Sequence, residues 1–160
     1  MRAFRPAAIS VINLNERYAV NRLFVKKAVA EILRYVKIPK GAEFEIVFLN
    51  DPSMKVFNKR YKNRRRPTDV LSFRIDSRIF KRHTFIGEIL ISLDRARANF
   101  RLFGNSFEEE IMLYVIHGIL HLAGYDDENA RGRKRMRKEE ERLLKLIRMT
   151  EDLSRVLTPR

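Results

Sequence analysis

Apolar residues recur along this chain with two different periods, and each change of period marks an element. Ala8 to Leu14 predicts a first strand. Between Val20 and Val36, Leu23, Phe24, Val29, Ile32, Leu33 and Val36 keep helical spacing, and Ile38-Pro39-Lys40-Gly41 stops that helix. Phe44, Ile46 and Phe48 then alternate with Glu43 and Glu45, the period of a strand. Asp51-Pro52 predicts a short helix capped by Asp51, with Met54, Phe57, Asn58 and Tyr61 on its inner side. Asn63 to Pro67 reads as a basic loop. Val70 to Ile75 and Phe85 to Leu93 read as strands joined by a hairpin-like excursion, and Asp94 to Leu102 as a helix closed by Gly104. Ser106-x-x-Glu109 is a capping box opening a helix that Gly124 closes. Glu128 to about Met149 predicts a last amphipathic helix resting on Met136, Leu143, Leu144 and Ile147.

The order β-α-β-α-β-β-α-α-α predicts an α+β fold: a single small domain over residues 1–160, with one mixed sheet of about four strands covered by helices. A chain of 160 residues is long enough to bury a core, and 45% hydrophobic residues exclude a disordered chain. No apolar run approaches the roughly 20 residues of a membrane span, so no membrane partner is expected. The start, basic and then briefly apolar, reads as the first strand and not as a secretion signal. The absence of cysteine excludes disulfides and thiolate-bound zinc, and fits a cytoplasmic location. Charge changes the picture more. Lys plus Arg number 34 against 20 Asp plus Glu, a net of +14, which favours a polyanionic partner. An ion-pair-rich surface would raise both signs, not one.

The chemistry gathers in the helix that Ser106 opens. Ile111 to Ala123 is apolar all round except for Tyr114, His117 and His121, so this helix is buried. Imidazoles four residues apart share one face, and burying them is costly unless something satisfies both. A metal ion does so; two core histidines bonded to backbone or carboxylate groups is the plainer alternative. Gly124 lets the chain reverse, so that Asp126 or Asp127 can return toward the histidines; spacing does not separate the two. Two histidines and one carboxylate suit Zn²⁺, with Ni²⁺, Mn²⁺ or Fe²⁺ as alternatives, and leave a position for an activated water. The pattern nearly matches H-E-x-x-H-x-x-G-x-x-H of one metalloprotease class. Gly118 stands where the protease has its general-base Glu, a loss worth about 10²–10⁴ in rate. Gly118 is expected instead to leave the floor of the site open to a bulky group such as a phosphodiester.

Lys55, Lys59, Arg60, Lys62, Arg64, Arg65 and Arg66 fall in a stretch without an acid, with Tyr61 among them. Such a run suits phosphate tracking with one ring for stacking; the plainer reading is a solvated face. A second run, Arg131 to Lys138, leads into Glu139 to Glu141 and reads as a solvated helix face.

His117-Gly118-Ile119-Leu120-His121-Leu122-Ala123-Gly124-Tyr125-Asp126 resembles the H-G-x-L-H-L-x-G-Y-D-H signature of the YbeY family of bacterial endoribonucleases. Pro67-Thr68-Asp69-Val70-Leu71-Ser72-Phe73 resembles that family's P-T-D-V-L-S-F segment, and Gly87-Glu88-Ile89 its G-D/E-I segment. The motifs fall in the same order over about residues 8 to 148. The resemblance implies a metal at the end of a cleft in an α+β fold. It implies a metal-dependent, single-strand-specific endoribonuclease acting in 3′-end maturation of small-subunit ribosomal RNA and in ribosome quality control. RNA and the ribosome are then the expected partners. It singles out Asp127 as the third ligand beside His117 and His121, where the family usually has His. An Asp there should make the metal a weaker Lewis acid.

The resemblance also puts Lys62 where the family has an Arg thought to be important for activity. Lys is a point charge that cannot grip a phosphate in bidentate fashion, so Lys62 suffices or Arg60 or Arg64 takes over. Lys59, Arg60, Arg64, Arg65 and Arg66 would carry the RNA. Thr68, Asp69 and Ser72 would orient substrate or hold their loop. Glu88 would bond a ligand histidine or face solvent. His83 is not assigned to the metal, and no residue reads as the general base. Two other readings stand beside this one: a metallopeptidase-like hydrolase, and a non-catalytic RNA- or ribosome-binding protein with a structural metal.

Overall fold

The computed structural model describes residues 8–62, 68–76 and 85–159. The strands are β1 (Ala8–Asn13), β2 (Glu43–Leu49), β3 (Val70–Asp76) and β4 (Phe85–Ser92); the helices are α1 (Arg22–Leu33), α2 (Asp51–Lys62), α3 (Leu93–Asn99), α4 (Phe107–Leu122) and α5 (Ala130–Thr150). Among the described residues the strands form one mixed sheet in the order β1-β2-β4-β3. β1, β2 and β4 run parallel, and β3 pairs antiparallel with β4 from Val70↔Ile91 to Asp76↔Phe85. This is the α+β architecture that the periodicities predict. No helix among the described residues is long and apolar enough to cross a membrane.

The pleat sorts side chains onto two faces. Phe44, Ile46 and Phe48 of β2, with Ile89 and Ile91 of β4, look to one side, where α1, α4 and α5 complete a continuous core. Val47, Leu49, Leu71 and Leu90 look to the other side, where Met54 and Phe57 of α2 cover them. The apolar stripe expected on α5 is buried at Met136, Leu143, Leu144 and Ile147.

Three local details differ from the sequence reading. Asn50, not Asp51, caps α2: the Asn50 Oδ1 accepts the Ser53 N–H at 2.9 Å. Asp51 accepts the Ser92 hydroxyl at 2.6 Å and faces Arg95 at 3.2 Å, a tertiary use that local sequence does not show. The helix expected from Asp94 to Leu102 is α-helical only to Asn99, then tightens into a 3-10 turn, Phe100–Phe103, that Gly104 ends at φ 72°. After α5, a 3-10 turn at Leu153–Val156 returns the chain to the body, where Leu157 bridges Val20 and the Thr158 N–H bonds the Ala19 carbonyl at 2.9 Å.

Candidate metal centre

α4 begins as its sequence requires. Ser106 Oγ accepts the Glu109 N–H at 3.1 Å, and Glu109 Oε2 accepts the Ser106 N–H at 2.7 Å, a reciprocal capping box. Glu109 also holds Arg148 of α5 at 2.7 Å. Burial alone would raise the Glu109 carboxyl, but these hydrogen bonds hold it below the usual carboxylate range. The helix is buried along Ile111, Met112, Val115, Ile116, Ile119 and Leu120, which fixes the rotation at which His117 and His121 emerge.

Gly124 ends α4 as predicted, at φ 96°. Its N–H bonds the His121 carbonyl and the Tyr125 N–H bonds the Leu120 carbonyl, both at 3.0 Å, the two bonds of a Schellman motif. The chain then turns back and presents Asp127. Asp126 is used otherwise: its Oδ1 accepts the Glu128 N–H at 2.6 Å. Arg133 donates to the Asp127 and Glu128 carbonyls at 3.4 and 3.1 Å, and Asn129 caps α5 through the Gly132 N–H at 2.8 Å. Arg133 thus secures the loop that carries Asp127, while the basic residues of the run from Arg131 to Lys138 are exposed, as the sequence predicts.

His117, His121 and Asp127 come together. The two Nε2 atoms lie 3.0 Å apart, and Asp127 Oδ2 lies 3.7 Å from His117 Nε2 and 3.6 Å from His121 Nε2. A tetrahedral zinc ion with ligands at its usual bond lengths holds them about 3.3 Å apart. The donor set therefore fits such an ion. The other nitrogen of His117, Nδ1, bonds the carboxylate of Glu140 on α5. A proton on Nδ1 leaves Nε2 as the lone-pair donor of the neutral ring, which is the form a metal needs. Sequence reasoning missed Glu140, which lies 23 residues from His117 and within a charged run. Glu88, the sequence-based candidate for this role, pairs beside Glu45 and Phe73 on the α2 face of the sheet, away from α4. Burial first, and the neighbouring Glu45 second, push the Glu88 carboxyl above its usual range.

Gly118 does not open the floor of the site. A Cβ there would meet Ile89 Cγ2 at 2.5 Å, so the glycine is what lets α4 pack down onto β4. Ser72 of β3 bonds the Gly118 carbonyl at 3.3 Å, which assigns Ser72 a helix–strand contact.

The cluster lies between two cavities. On the His117 side, one of about 690 Å³ is lined by Asp69, Tyr114, His117, Asp127, Arg137 and Glu140, among others. On the His121 side, a smaller one of about 290 Å³ is lined by Ser72, Arg74 and His121. Burial pushes the Asp69 carboxyl up against the opposing pull of Arg95. Burial likewise raises Glu110, despite its bonds to Asn105 and Tyr114, and raises the Tyr114 phenol.

The basic segment is placed elsewhere. Lys55, Lys59 and Arg60 are exposed on α2, across the sheet from α4. Lys62 is the last residue of α2, with its side chain outside the described set, and Arg64, Arg65, Arg66 and His83 lie outside the described residues. Arg74 and Arg137, which the sequence did not single out, line the two cavities at the cluster.

Known proteins resemble most of this chain. Residues 11–148 match the family model described as endoribonuclease YbeY. A protein of that name from Persephonella marina is 39% identical over 113 residues, 70% of this chain and 73% of the relative. One from Desulfitobacterium hafniense is 33% identical over 141 residues, 83% of this chain and 88% of the relative. One from Pelotomaculum thermopropionicum is 31% identical over 149 residues, 89% and 98% of the two chains. The solution structure of a Thermotoga maritima protein is similar with a TM-score of 0.58 at 26% identity, covering 86% of this chain and 87% of that one. A match that spans both signature segments and the whole convergent cluster means that the chain belongs to the endoribonuclease YbeY family.

Proposed function

We propose that this protein is a zinc-dependent, single-strand-specific endoribonuclease that hydrolyses RNA phosphodiesters in the cytoplasm. Its substrate is the 3′ region of small-subunit ribosomal RNA, cleaved in maturation and in ribosome quality control. One observation carries the reading: in a chain of this family, three ligand atoms from His117, His121 and Asp127 converge at 3.0 to 3.7 Å between two cavities. Three protein ligands leave a coordination position free, which favours a catalytic over a structural ion. When bound, a divalent ion supplies Lewis-acid activation of water and neutralises charge at a phosphoryl group.

The chain's own residues supply the rest. Glu140 holds the His117 ring in one tautomer. Lys62 is assigned to the negative charge that develops on the phosphoryl oxygens, with Arg60 or Arg64 as its substitute. Lys59, Arg60, Arg64, Arg65 and Arg66 are assigned to the RNA backbone, and the net charge of +14 supports a polyanionic substrate. The N₂O donor set favours zinc; nickel, manganese and iron are the other metals to try. A peptidase reading loses support at Gly118, where packing against Ile89 leaves no room for a catalytic carboxylate.

The test measures metal content and cleavage of single-stranded RNA for the wild type and His117→Ala. One zinc per chain and cleavage are expected of the wild type, with loss of both in the variant. Undiminished cleavage by a metal-free variant would sink the reading, and cleavage of casein in parallel would restore the peptidase.

A further inference from the structure

We infer that the cavity beside His117 is the subsite for one unpaired nucleotide of the RNA, with the Phe103 ring as its stacking platform. The inference rests on the nuclease reading and adds a substrate contact to it. Phe103 is 72% exposed and lines the same cavity of about 690 Å³ as His117 and Asp127. Its neighbour Phe100 is engaged on its face, with Arg97 and Arg101 at 5.1 and 5.3 Å from the ring centroid and Phe107 at 6.2 Å. Among the described residues, no ring or guanidinium packs on Phe103. The backbone that carries the ring is held in place, because the Gly104 and Asn105 N–H groups close the turn onto the Arg101 and Phe100 carbonyls at 3.4 and 3.1 Å.

The cavity volume falls within the range of pockets that take a small ligand. Its charge sets which end of a nucleotide enters. Asp69, Glu110, Glu140 and Glu141 line it, so a phosphate other than the one at the metal is repelled from the interior. A base carries no such charge, and its amino groups donate hydrogen bonds that carboxylates accept. Arg137, exposed on α5 at the cavity wall, is the cation placed to hold a phosphate at the rim. Arg148 lines the same wall but is already engaged by Glu109 at 2.7 Å and Asn105 at 3.3 Å. A base stacked and paired inside a duplex cannot reach this ring, so the subsite itself selects single strands.

The test is a two-by-two cycle on the zinc-loaded protein. Wild type and Phe103→Ala are each given a single-stranded RNA oligomer, intact or with one abasic nucleotide stepped along the positions flanking the cleaved bond. For the intact oligomer, Phe103→Ala should raise both KM and the Kd from fluorescence anisotropy roughly ten- to a hundredfold, the usual effect of losing one stacked base. Zinc content and the thermal midpoint should not change, and Phe103→Tyr should restore most of the binding. At one abasic position the two proteins should bind equally. Equal losses on intact and abasic oligomers at every position would overturn the inference. So would unchanged binding by Phe103→Ala, which would leave the exposed Leu102 and Phe103 as a protein-contact surface. Phe103-dependent binding without cleavage keeps the subsite and removes the nuclease; cleavage indifferent to Phe103 does the reverse.

Discussion

The two faces of the one sheet are built to different depths. On one, α1, α4 and α5 close over Phe44, Ile46, Phe48, Ile89 and Ile91 in a continuous core. On the other, among the described residues, α2 alone rests Met54 and Phe57 on Val47, Leu49, Leu71 and Leu90. The convergent His117, His121 and Asp127 belong to the deep face, and the exposed Lys55, Lys59 and Arg60 to the thin one. The difference follows from what each chemistry demands. Ligand atoms must be held to fractions of an ångström, which takes side chains locked by several packed elements. A positive field acts over about 10 Å and needs only exposure, which a single helix supplies.

The largest effects are expected from truncating each core in turn. Met54 and Ile119 are both fully buried, one on each face. Met54→Ala and Ile119→Ala should each lower unfolding free energy by about 2–5 kcal/mol in denaturant titration. Only Ile119→Ala should also weaken zinc retention, because only it loosens the helix bearing the histidines. Equal loss of zinc from both variants would mean that the two faces are not independent supports.

Next in size is the buttress on His117. Glu140→Ala should lower zinc affinity about 10- to 100-fold, read by competition with a chromophoric chelator, while the fold persists. Affinity unchanged within error would show that the bond between His117 and Glu140 does not prepare the ligand.

A smaller effect is expected at the start of α4. Ser106→Ala should cost about 1 kcal/mol in thermal unfolding. Glu109 adds a pH dependence whose sign follows from its lowered pKa. The stability it lends is fully present above the ordinary carboxylate value of 4.5, and is lost as pH falls through the lower folded-state value. Glu109→Gln should therefore differ from the wild type at neutral pH and converge with it in acid.

The smallest effect belongs to the thin face. Ionised Glu88 lies half-buried beside Glu45, and its raised pKa means that the penalty is absent below 4.5 and complete above the raised value. Glu88→Gln should stabilise the protein by a few tenths of a kcal/mol at pH 7, with no gain in acid.

What could be read from the sequence was what neighbours in the chain decide. Period-2 and period-3.6 patterns located the strands and helices. Ser106, Glu109 and Gly124 marked the two ends of α4, and the spacing of His117 and His121 put both rings on one face. Asp126 and Asp127 could not be separated by spacing, because the choice is made by the turn: Asp126 is drawn to the Glu128 N–H and Asp127 is left facing the rings.

What escaped was set by distant contacts. Glu140 reaches His117 only because α5 packs back along α4. Gly118 looks like open space in the sequence, and its closeness to Ile89 exists only once α4 lies on β4. Asp51 was drawn from its expected cap by Ser92 and Arg95, more than forty residues away. Phe103 resembled any other apolar residue at the end of a helix until the 3-10 turn left its ring at the cavity.

Loading of the His117–His121–Asp127 cluster is expected to make this chain a nuclease. The decisive experiment strips the protein with a chelator and titrates zinc back while following cleavage of a single-stranded RNA oligomer. No cleavage is expected of the stripped protein, and on titration a rise that levels off at one zinc per chain. Cleavage by the stripped protein at the loaded rate, or a rate that stays at background when one zinc per chain is bound, would contradict that expectation.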